Sequence, residues 1–174
     1  MALKLYFHAD LVYTKDAEYV KVLERDGFGK GVKSRSKTTQ EQETLQLSRE
    51  ETIYLLKNGK AELLTTDNKN IQMEEIWSKF VNNDPDFIYK YRVFEYLRDE
   101  GLIVKSGLKY GANFGDDIDF VQLLCCQRVV SQTLLLALPR IKGDCSVKTL
   151  QDLNTNINVE LVEAKRWLPQ RTRQ

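Results

Sequence analysis

Residues 101–114 read GLIVKSGLKYGANF, and the reading of the rest of the chain depends on them. Two short apolar runs meet at Gly107, with Lys105, Lys109 and Tyr110 close to the hinge, the pattern of two strands joined at a glycine. Upstream, Phe87, Tyr91, Phe94 and Leu97 recur at helical spacing and place one face of a helix inward, up to Gly101. Asp84 caps that helix and Pro85 takes its first position. Downstream, DDIDFVQLLCCQRVVSQ (116–132) is a helix with acids in its first turn, apolar nearly all round and therefore buried. TLLLALPRI (133–141) is a continuous hydrophobic strand, as found at the centre of a covered sheet. A loop leads to NVELVEAKRWLP (158–169), a long strand with Val159, Leu161 and Trp167 on one face and Val162 and Ala164 on the other. A strand with two apolar faces and a free edge invites aggregation unless a partner covers it.

The N-terminal half has a different rhythm. LKLYFH (3–8) alternates as a half-buried strand does, and Asp16 caps a short helix through Tyr19, Val20 and Leu23 that stops at Gly27. Residues 29–44, GKGVKSRSKTTQEQET, are polar and without periodicity, which predicts a loop. Ser48 and Glu51 form a capping box that opens a helix closed by Asn58-Gly59. KAELL (60–64) is a strand, TTDNKN (65–70) a turn, and Met73, Ile76, Trp77 and Phe80 the core face of a further helix. NNDPD (82–86) is the best boundary. It divides an α+β domain, 1–83, from a domain of helices and strands, 84–174.

The chain has 174 residues, 42% hydrophobic and 29% charged, with a net charge of +1, so any basic surface is local. It has no bilayer-length apolar run and no signal peptide, which predicts a cytoplasmic protein without a membrane partner. Cys125, Cys126 and Cys145 suit neither a zinc site nor a disulfide framework and read as small buried hydrophobes.

Tyr91 to Phe114, YRVFEYLRDEGLIVKSGLKYGANF, resembles the signature of the archaeal tRNA-splicing endonuclease family: a Tyr-rich helix ending Leu-Arg-x-x-Gly, a strand, Lys-x-Gly and a second strand. LSREETIYLLKNGKAEL (47–63) is similar to that family's N-terminal domain. The resemblance implies an α+β N-terminal domain followed by a nuclease-like α/β C-terminal domain, a mixed sheet with flanking helices. It also implies four-unit assemblies that cut introns from precursor tRNA at a bulge-helix-bulge, without metal or cofactor. In active members a Tyr, His, Lys triad serves the attack of the RNA 2′-hydroxyl.

This chain departs from that pattern. The Tyr is expected after Phe114, where Gly115-Asp116-Asp117 stand, and the Lys falls at Ser131-Gln132-Thr133. The single histidine, His8, belongs to the first strand. The expectation is a non-catalytic, structural subunit without catalytic or metal-ligating residues, working beside a catalytic chain, two copies of each, on precursor tRNA. Lys105, Lys109 and Arg166 are its RNA-contact candidates. Val159, Leu161, Trp167, Asp144 and Asp152 are its partner-interface candidates.

Two other readings remain open. In a stand-alone metal-dependent nuclease, Glu163 and Lys165 on one strand face would join Asp144 or Asp152 around Mg²⁺. In an RNA-binding module without an enzymatic partner, the basic run Lys30 to Lys37 would meet RNA. That run lacks interleaved aromatics, and the net charge is weak.

Overall fold

Alternation of apolar and polar side chains builds the first layer of the protein. The structure is a computed structural model that describes residues 2–32, 44–104, 134–142 and 149–164. Strands β1 (Leu3–His8), β2 (Leu11–Thr14), β3 (Lys30–Val32), β4 (Thr44–Leu47), β5 (Ala61–Thr65) and β6 (Asn70–Ile71) form a six-stranded sheet in the order β3-β4-β2-β1-β5-β6. The β1–β5 pair is parallel and the others are antiparallel. Leu5 lies opposite Leu63 and Val12 opposite Leu47, so the register gathers Leu5, Val12, Leu47, Ala61 and Leu63 on one face. Tyr6, opposite Tyr13, belongs to the other face.

Several of these elements differ from the sequence expectations. β3 lies inside the segment read as a loop, β6 takes the last residue of the predicted turn, and β2 and β4 carry no strand signal long enough to stand out. All four are two to four residues long, too short for an alternating pattern to register. Residues 33–43 lie outside the described residues.

The helices α1 (Ala17–Arg25), α2 (Arg49–Lys57), α3 (Met73–Asn83) and α4 (Phe87–Asp99) follow the expected faces. Asp16 accepts the backbone N–H groups of Glu18 and Tyr19. The capping box of α2 is formed, with Glu51 accepting the Ser48 N–H at 2.8 Å while Ser48 Oγ accepts the Glu51 N–H at 3.1 Å. The other Glu51 oxygen accepts the Gly29 N–H at 2.8 Å, so this carboxylate also fixes the chain entering β3.

Helices α1, α2 and α4 end alike, with a left-handed glycine and a hydrogen bond from the residue after it back to the last turn: Phe28 to Leu23, Lys60 to Leu55, Leu102 to Leu97. Asp84 starts a turn rather than the α-helix itself. Its carboxylate accepts the Asp86 N–H and pairs with Lys90, and α4 begins two residues later than the sequence suggests.

The core runs without interruption from the sheet through α3 into α4. Trp77 meets Phe87 and Tyr91 at 5.4 and 5.5 Å between ring centroids, and Phe80 meets Phe87 at 5.4 Å. The sequence boundary between residues 83 and 84 thus falls in a short link across which aromatic rings are in contact. No helix among the described residues is long and apolar enough to cross a membrane.

Candidate partner interface

Beyond α4 the chain builds a hairpin of β7 (Leu134–Ile141) and β8 (Ile157–Ala164), antiparallel from Leu134 opposite Ala164 to Ile141 opposite Ile157. Between the strands, the segment read as a loop contains a 3₁₀ turn (Leu150–Asp152) and a single helical turn, α5 (Leu153–Asn156). Lys142 N–H donates to the Asn156 carbonyl at 2.8 Å and closes the hairpin end. Leu153 and Ile157 are fully buried and join the main core. Through Leu153 and Ile157 this end of the hairpin is anchored to the core. Ile141 is 47% exposed, Leu161 38% and Val162 37%, with apolar side chains on both faces of β8.

The anchor is α4. Arg92 Nε donates to the Ile157 carbonyl at 3.1 Å, and its guanidinium lies 3.5 Å from Glu95. Glu95 is buried, and its Oε1 also accepts from the Tyr91 hydroxyl at 3.1 Å and from Lys57 of α2 at 2.5 Å. Burial first, and the neighbouring Glu95 carboxylate second, push the Tyr91 hydroxyl well above the usual tyrosine range. One carboxylate therefore joins α2, α4 and, through Arg92, the hairpin. A carboxylate satisfied from three sides in a closed core holds elements together and is not positioned to move protons to a substrate.

At the other end of α4, Arg98 of the Leu-Arg-x-x-Gly motif lies 3.9 Å over the Phe28 ring and donates to the Asp26 carbonyl at 3.0 Å. It clamps the end of α1. Tyr54 Oη donates to Asp99 at 3.2 Å, and burial, then Asp99, pushes this hydroxyl upward too. In the sequence Arg98 stood out as part of the Leu-Arg-x-x-Gly motif, whereas Glu95 and Arg92 did not. A lone acid amid apolar helix positions was the available signal.

Among the sequence candidates, Val159 and Leu161 lie two apart on β8 and share a face, Val159 half-buried and Leu161 exposed. Asp152 accepts from the Thr149 N–H and from its hydroxyl, so its carboxylate is engaged in a local cap. Glu163 lies opposite Leu135. Lys105, Lys109, Asp144, Lys165, Arg166 and Trp167 lie outside the described residues, as do the helix predicted for 116–132 and the three cysteines. His8 is exposed at the end of β1, opposite Leu11. No group of three or more His, Cys, Asp or Glu that could hold a metal gathers among the described residues.

The sheet that carries β1, the capping box and the start of α3 can be compared with known proteins. Residues 3–77 match the tRNA intron endonuclease, N-terminal domain family. A tRNA-splicing endonuclease of Sulfurisphaera tokodaii is 34% identical over 108 residues, covering 60% of this chain and 59% of that protein. One of Saccharolobus islandicus is 40% identical over 73 residues, covering 40% of this chain and 38% of the relative. One of Hyperthermus butylicus is 37% identical over 70 residues, with 40% and 39% covered. The chain thus spans less than two thirds of the length of these relatives, and the family match ends inside α3. The N-terminal sheet is thus similar to the N-terminal domain of tRNA intron endonucleases, and the described residues form a mixed α+β structure.

Proposed function

We propose that this chain is a structural, non-catalytic subunit of a heteromeric tRNA-splicing endonuclease, which removes introns from precursor tRNA at bulge-helix-bulge motifs by metal-independent cleavage in a partner subunit. One observation carries the reading. The single imidazole of the chain, His8, sits at the end of β1 inside the residues that match the N-terminal domain. An RNA cleavage that needs a proton donor of near-neutral pKa has no histidine to use elsewhere in this sequence.

The hairpin supports the partnership. Leu161 and Val162 leave β8 apolar on both faces, and each of its two strands has a second edge unpaired among the described residues. Pairing with a strand of another subunit would satisfy the backbone groups of such an edge and bury those side chains. In this reading residues 84–174 form a nuclease-like domain, Val159, Leu161 and Trp167 meet the catalytic chain, and Lys105, Lys109 and Arg166 approach the RNA backbone.

Co-expression with a catalytic tRNA-splicing endonuclease subunit tests it. Light scattering should give the mass of two copies of each chain. The complex should excise the intron from a bulge-helix-bulge precursor in the presence of chelator, and this chain alone should leave the precursor intact. Excision by the purified chain alone would end the proposal.

A further inference from the structure

The sheet face away from the core carries a second surface. Lys4, Tyr6, Tyr13, Lys15, Asp16 and Tyr19 line an open depression of about 620 Å³. Tyr6 and Tyr13 are cross-strand partners whose rings stack with centroids 6.0 Å apart. Lys15 lies 5.5 Å over the Tyr13 ring. The three tyrosines are half-buried and therefore held in place, while Lys4 and Lys15 are exposed. Neither lysine makes an ion pair among the described residues. The acid on the rim, Asp16, is occupied by the first N–H groups of α1, whose positive end offsets its charge.

Rigid aromatic faces flanked by free ammonium groups are what an unpaired nucleotide needs: a platform for its base and cations for its phosphates. An apolar protein partner would be poorly served, because the two lysines at the rim would have to be desolvated.

We infer that this depression binds an unpaired stretch of RNA, stacking a base on Tyr6 and Tyr13 while Lys4 and Lys15 hold adjacent phosphates. The inference rests on the subunit reading for its natural ligand, the precursor tRNA. It places an RNA contact on the N-terminal domain, far in sequence from Lys105, Lys109 and Arg166.

The test uses the full chain, both alone and mixed with a catalytic subunit. Binding of a fluorescent single-stranded oligouridylate and of precursor tRNA is followed by anisotropy across a salt series. The double variant Lys4→Glu/Lys15→Glu, at exposed positions, should weaken oligouridylate binding at least about ten-fold and lower the salt slope by about 1.4. Tyr13→Ala should weaken it about ten-fold with the slope unchanged, and Tyr13→Phe should restore it. If Tyr13→Ala fails to fold, the lysine variant decides between binding and no binding at this site.

Variants that bind like wild type, or wild type that fails to bind the oligouridylate, overturn the site. Cleavage of the precursor by the wild-type complex reports separately on the subunit reading. Cleavage with unaffected variants removes the site and leaves the subunit. Lysine-dependent binding without cleavage does the reverse.

Discussion

The N-terminal sheet and the β7–β8 hairpin solve the same problem with opposite results. Both expose strand edges and both have an apolar face to cover. The sheet covers one face with its own helices, so that Leu5, Leu45 and Leu63 are fully buried. The hairpin is anchored at Leu153, Ile157 and the Arg92 bond, whereas Leu161 and Val162 remain more than a third exposed. A two-stranded hairpin is marginal in water by itself. The first region thus supplies stability to the chain, and the second leaves apolar side chains exposed.

The most damaging change should be the one that strikes the joint between the two regions. Glu95→Ala leaves Lys57, Arg92 and the Tyr91 hydroxyl without their shared acceptor and should cost about 3 kcal/mol in urea denaturation. If it costs no more than a surface substitution, Glu95 does not join the regions.

Gly29→Ala strikes the sheet alone. Gly29 has a φ of +70°, and a Cβ there would come within 2.6 Å of the buried Leu45 side chain. A loss of about 2 kcal/mol is expected, with the hydrogen bond that the Gly29 N–H donates to Glu51 strained as well.

Tyr91→Phe should cost about 1 kcal/mol near neutral pH. It also carries a pH signature. Because the folded-state pKa is raised above the ordinary value of 10.0, the contribution of Tyr91 is fully present below that pH and is lost as pH rises above it, where the unfolded chain ionises first. The stability of wild type should therefore fall more steeply than that of Tyr91→Phe in alkaline titrations. Parallel curves would show that the hydroxyl is not held neutral.

The smallest effect on stability should be that of Leu161→Asn, within ~0.5 kcal/mol for the isolated chain. The same change should weaken assembly with a catalytic subunit, measured by scattering across a dilution series. A melt lowered as far as that of Gly29→Ala would place Leu161 in the core and erase the contrast between the regions.

Much of this was legible in the sequence, and the reason is local. The alternation of LKLYFH, the Ser48–Glu51 box, the Asp16 cap and the stripe Ile76, Trp77, Phe80 each lie within one element, and each is found where the pattern places it. Short strands were not legible. β2, β3, β4 and β6 exist because neighbours in the sheet hold them, as Gln46 stands between Tyr13 and Lys30. On the candidate interface, the apolar faces of β8 were read from spacing, whereas the engagement of Asp152 by Thr149 was not.

Residue type and near-neighbour spacing were enough to set which faces turn inward, where α1, α2 and α4 stop, and that one imidazole is present. What Glu95 joins, what Arg98 clamps, and the sharing of one surface by Tyr6, Tyr13, Lys4 and Lys15 emerge only when the elements pack together. Those relations bring together groups from separate elements, and the order of strands in a sheet is set by burial of the whole face, which no single stretch of chain encodes.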